Sequence, residues 1–397
     1  MLKSPSQMVW TCIFILLLPT FLIPTLQAQD QKRMNPGFDV SGVKEFWKIV
    51  DILQKDIDPS PETWKTLFDT PGHNALRREF KDAFFIRYFQ AAYMPGKAQL
   101  QKGILAKAEN ATGWFNSWFP KAELEALDWT LKNREKVISK MHSLEFYPYT
   151  EKAVNELLKY LPETEVNDYP NVSFVIFNDS RGYDPVVISL NLLAKEEAEL
   201  SDETIRKLKA QGHTKEWPHV LYFAHEFFHF YRAKKSDFRF PGQNSDDYTI
   251  VWILDQIENE GIADQINVKQ LYYEDGCLTD SEAAQKTYEQ QKIAPEELRE
   301  LDDILAGIHD HPNWKYGLGQ QARKTITRSG HAAGFYMSNV ILKHFPTNEL
   351  ARIARNPFQF FRLYNRAAKL ERNVPVFSDK AIALIAGLEK QYAVAAQ

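Results

Sequence analysis

Residues 220–232 read Val-Leu-Tyr-Phe-Ala-His225-Glu226-Phe-Phe-His229-Phe-Tyr-Arg. Two histidines four positions apart share one face of a helix, so both imidazoles can reach a single zinc ion. Glu226 stands beside that face. It is placed to take a proton from a metal-activated water without being a ligand itself. The bland alternative is a pair of ordinary half-buried helix histidines. The flanking residues argue against it. Leu221, Phe223, Ala224, Phe227, Phe228 and Phe230 make the helix apolar nearly all round, which is the pattern of a buried helix. Buried imidazoles and a buried carboxylate need partners, and a metal supplies them.

A third ligand must come from elsewhere. Arg232 and Lys235 occupy the positions where a metzincin would place glycine and histidine, so that branch is excluded. The segment Ile250 to Lys269 carries Asp255, Glu258, Glu260 and Asp264. Glu260 and Asp264 are i and i+4 and share a helix face. The first can bind the metal while the second accepts the free ring N–H of a ligating histidine. Glu258 has Ile262 at its i+4 position and so lacks such a partner. Gly261 and Ala263 are small enough for close helix packing. The alternative is a solvated acidic face.

His225-Glu226-x-x-His229 followed by Glu260-x-x-x-Asp264 resembles the gluzincin metallopeptidases, the thermolysin-like group, over roughly residues 170–345. It looks most like exported bacterial zinc-dependent peptidases. One departure is the distance along the chain. Glu260 follows His229 by 31 positions, longer than in thermolysin-like enzymes, and a polar insertion at Ser236–Asp247 could account for it. The resemblance implies one Zn²⁺ per chain, held by His225, His229 and Glu260. It implies a peptide or protein substrate, with Glu226 as general base and Asp264 orienting a ligand histidine. It also implies an oxyanion donor on a later helix. Ser329 to Met337 is the place to look, with His331 or Tyr336 as the donor. Two rivals remain: a zinc amidohydrolase of non-peptide substrates, and a zinc-bearing envelope protein that binds peptides without cutting them.

The elements that must hold these groups are mostly helices. Val43, Phe46, Trp47 and Val50 fall at i, i+3, i+4 and i+7, and Leu53 extends the stripe. Ser60-Pro61 reads as an N-cap with proline at the first helical position. Helical stretches follow near 74–93, 97–108, 121–141 and 151–161, punctuated by Pro95, Pro120, Pro148 and Pro162. Val172–Phe177 and Val186–Leu190 read as two strands around a polar turn. The second is either a core strand or, by the resemblance, an edge that pairs with substrate. The expected fold is therefore mainly α with a small β-sheet (α+β). The expected division is residues 1–28 as signal peptide, 29–165 as an N-terminal helical region and 166–397 as the catalytic region.

Lys3, the apolar run Met8–Leu18 and a small residue at Ala28 compose an export signal, against the alternative of an uncleaved anchor. The expected location is periplasmic or secreted, with no stable membrane span after cleavage. The net charge of −4, without a dense basic run, speaks against nucleic acid. Cleavage would leave Cys277 alone, so the mature chain would have no internal disulfide. His309 and His311 read as a solvated loop pair rather than a second metal site.

Overall fold

Three short strands pair in parallel in the order β1 (Phe38–Asp39), β2 (Val172–Val175) and β3 (Val186–Ser189). Val172 stands opposite Val186, and Val175 opposite Ser189. Both longer strands are buried along their whole length, which is why they read as apolar runs rather than alternating ones. These coordinates are a computed structural model. They describe residues 37–394 apart from 112–113, 145–146, 163–165, 167, 235–236, 274–275 and 280. The expected signal at 1–28 lies outside the described residues. The rest is helical, so the protein is mainly α with a small sheet, as the sequence pattern predicts.

Helix α1 (Ser41–Leu53) buries Val43, Phe46, Val50 and Leu53, the predicted stripe. The predicted Ser60 cap also forms, its Oγ accepting the Thr63 N–H at 3.2 Å. Helix α2 (Trp114–Lys132) differs from expectation, because Pro120 lies inside it. Its buried Phe119, Leu124 and Leu127 belong to the main core, and that packing outweighs the local cost of the proline. The two-residue β1 joins the N-terminal helices to the sheet, and Phe38 sets its ring edge-on against Phe174 at 5.3 Å.

Four further helices build the site. They are α3 (Leu190–Glu199), α4 (Trp217–Lys234), α5 (Tyr248–Ile266) and α6 (His331–His344). Helix α4 carries the two histidines and is buried on nearly all sides, with Tyr149 stacked on Phe223 at 5.2 Å. Helix α5 lies beside α4 and crosses α6 at Gly261 and Gly334, where backbone meets backbone.

Candidate metal centre

Helix α4 places His225 and His229 one turn apart with their Nε2 atoms 2.9 Å from each other. Glu260 of α5 reaches toward both. Its Oε2 lies 3.6 Å from His225 Nε2 and 3.4 Å from His229 Nε2. The three donor atoms all fall within 4.8 Å of one another, the one such group among the described residues.

The other ring nitrogens are fixed by two asparagines. His225 Nδ1 lies 3.2 Å from Asn267 Oδ1, and that oxygen also accepts the Val268 N–H at 2.7 Å. His229 Nδ1 lies 2.9 Å from Asn259 Oδ1. A carboxamide oxygen can only accept, so each Nδ1 carries the proton and each Nε2 presents a lone pair. Two such lone pairs facing each other need a positive charge between them. With no cation there a proton takes that place on His229: burial alone would pull its pKa down, but Glu260 reverses this and lifts it to about 9. Burial would likewise raise Glu260, yet the imidazoles of His229 and His331 hold it well below the usual carboxylate range. A divalent cation fits this donor set of two imidazoles and one carboxylate.

Glu226 is buried beside the cluster, which raises its pKa, while His225 and His229 oppose the rise. No hydrogen bond reaches its carboxylate among the described residues, so both oxygens are available to a proton. Glu258 takes a different role. It forms a buried ion pair with Arg232 and accepts the Arg355 N–H at 3.0 Å. Asp255 binds the same guanidinium at 2.5 Å. Glu260, not Glu258, is the carboxylate turned toward the histidines.

The structure brings His331 to the site and leaves Tyr336 away from it. His331 Nε2 lies 3.4 Å from Glu260 Oε2, and His331 Nδ1 lies 2.9 Å from Asp264 Oδ2. Tyr336 is five positions further along α6, about 140° around the helix. The charges that act on its hydroxyl are those of Glu371 and Arg299, and it does not line the cleft. Asp264 sits between two rings. Its direct partner is His331, and its other oxygen is 3.7 Å from His225 Nδ1, beyond hydrogen-bond reach. Asn267 holds that ring instead. Sequence reasoning missed both asparagines. Asn267 was findable, since 260, 264 and 267 repeat at i, i+4 and i+7.

A cleft of about 1170 Å³ opens over these groups. One wall is the strip 178–183. Gly182 lies against His229 and the Glu226 carbonyl so closely that a side chain could not fit. Three anchors hold the strip. Asn178 N–H donates to Glu123 Oε2 at 2.9 Å, Tyr222 OH donates to Ser180 Oγ at 2.9 Å, and Arg181 pairs with Asp179 and Glu79. Arg181 also exchanges both backbone hydrogen bonds with Val187 at 2.9 Å. The outer edge of β3 is therefore taken at that point by the chain's own loop, which favours the core-strand alternative there.

The other histidines stay out of the site. His309 ends a helix and faces Asp310 at 3.3 Å. His219 is fully buried beside Lys140, and Cys277 is buried as well.

Residues 64–373 match the sequence model of a family described as "Putative zinc dependent peptidase (DUF5700)". No curated protein and no solved structure matches the chain.

Proposed function

The chain belongs to that family of zinc-dependent peptidases, and from this premise we propose that it is a single-zinc peptidase of the gluzincin type. The observation that carries the reading is the convergence of His225 Nε2, His229 Nε2 and Glu260 Oε2 beside the unbonded carboxylate of Glu226. His225, His229 and Glu260 would hold the ion. Zinc, when bound there, would act as a Lewis acid toward the scissile carbonyl and would lower the pKa of a water. Glu226 takes that water's proton and returns it to the leaving amine. His331 is held by Asp264 with its Nε2 toward the cluster, in position to donate to the oxyanion. Asn267 and Asn259 keep the ligand rings in the tautomer that offers Nε2.

On the same reading the segment 1–28 is an export signal, so the substrates are peptides met in the periplasm or outside the cell. No helix among the described residues is long and apolar enough to cross a membrane.

The test is metal content and peptide cleavage on the purified chain. One zinc per chain is expected. Glu226→Gln keeps the zinc and loses ~10³-fold or more in kcat. Glu260→Ala loses the zinc, whereas Glu258→Ala keeps it and lowers Tm, because Arg232 is left with one fewer buried partner. Zinc loss in Glu226→Gln would overturn the assignment of Glu226 as a non-ligand base.

A further inference from the structure

The cleft does not end at the metal ligands. Beyond His225 it is also lined by Leu271, Tyr272, Tyr222 and Glu196. Tyr222 precedes His225 and Glu226 on α4 by three and four positions, so this part of the cleft lies one helical turn from the reacting centre.

Glu196 is the unusual member. Its side chain keeps only 26% of its accessible surface. No hydrogen-bond donor reaches it among the described residues. The imidazole of His219 stands beside it, with Nε2 3.7 Å away. That imidazole is fully buried, and burial together with Lys140 pushes it down to about 3, so it carries no charge. The neighbouring Glu197 shows the contrast. It takes Lys140 at 2.7 Å and Lys215 at 2.5 Å. The remaining contacts of the Lys140 ammonium go to Tyr149 OH and His219 Nδ1, each at 2.9 Å. Lys140 thus attracts Glu196 from a distance without bonding it. Burial raises Glu196 to about 7, with Lys140 pulling the other way. A carboxylate left three-quarters buried without a donor is destabilising in the free protein. An incoming cation would remove that cost. The walls suit the stem of such a cation, since Leu271 offers an apolar surface and Tyr222 and Tyr272 line the same part of the cleft with aromatic rings.

We propose that Glu196 is the specificity-determining residue of a subsite that takes the ammonium or guanidinium of a lysine or arginine side chain of the substrate. The proposal deepens the peptidase reading and rests on it for the word substrate.

The experiment has two arms, both on the zinc-loaded full chain. In the first, a peptide library is digested and the cuts are read by mass spectrometry. Matched peptides carrying lysine, arginine or norleucine at the preferred position are then compared. Wild type favours the basic peptides. Glu196→Gln loses at least ~30-fold in kcat/KM on them and less than ~3-fold on norleucine. In the second arm, calorimetry compares Nα-acetyl-lysine amide with Nα-acetyl-norleucine amide. Only the first binds, and Glu196→Gln abolishes its binding. Glu196→Gln melts no lower than wild type, because it removes an unbonded buried carboxylate.

Peptides cut without basic preference, together with equal binding of the two amides, would overturn the subsite and leave the peptidase reading standing. Binding of the lysine amide through Glu196 with no peptide cut would do the reverse. A preference that follows a free α-amino group and vanishes on N-acetylation also overturns the side-chain assignment.

Discussion

Gly334 of α6 lies so close to Gly261 of α5 that a methyl group on Gly334 would stand 2.7 Å from the Gly261 Cα. It would come closer still to the Ile257 carbonyl. Helix α5 carries Glu260 and Asp264, and α6 opens with His331, so this crossing sets the distance between Glu260 and His331. The α6 N-terminus is also tight. Gly330 adopts φ 91°, and a Cβ there would meet the Ile257 backbone at 2.9 Å.

Gly334→Ala should therefore push α6 off α5. The expected loss is about 2–4 kcal/mol of stability, with weaker zinc retention. The control is Gly387→Ala, where nothing lies within 4 Å and the helix should gain ~0.5–1 kcal/mol. Chemical denaturation with zinc content measured alongside checks both. A neutral Gly334→Ala would mean that the crossing does not position the site.

Asp264 is within hydrogen-bond reach of His331 and not of His225, so its charge acts most directly on His331. His331→Ala should lower kcat by ~10²–10³-fold while zinc stays bound. Asp264→Asn keeps an acceptor of similar shape without the charge, so a smaller loss of about 10-fold is expected. If either substitution emptied the metal site, the donor role would have to be abandoned for a ligand one.

How much of this was readable follows from how local each relationship is. His225, Glu226 and His229 stood out because their geometry is set by one turn of helix. Glu260 and Asp264 were found for the same reason, and the same period extended to Asn267 would have found the amide that holds His225. Asn259 has no such signal, because its contact with His229 depends on how α4 and α5 cross. Tyr336 stood as the alternative to His331, and five residues of helix turn the two apart, so only one of them can face the cluster. The sheet shows the limit of strand patterns. Two apolar runs were visible, but their parallel pairing is closed by β1, two residues more than 130 positions away. Glu123 was hidden in a helix whose pattern read only as packing.

That hidden carboxylate gives a pH prediction. Glu123 is 1% exposed, and burial lifts its carboxyl to about 8, with the Asn178 N–H opposing. In the unfolded chain its pKa is near the ordinary value of 4.5. Between those two values the folded protein holds a proton that the unfolded chain does not. The stability from this group is therefore complete below about pH 4.5 and is lost as the pH rises toward about 8, by up to ~1.4 kcal/mol per pH unit. Glu123→Gln keeps an oxygen for the Asn178 N–H and cannot ionise. The variant should match wild type near pH 4.5 and grow progressively more stable than it toward pH 8. His73 and His219, both pushed down to about 3 by burial, make both proteins less stable below about pH 6.5. They cancel in the comparison. Denaturation of the two proteins across this range reads the difference directly, and parallel curves would mean that Glu123 is not titrating inside the fold.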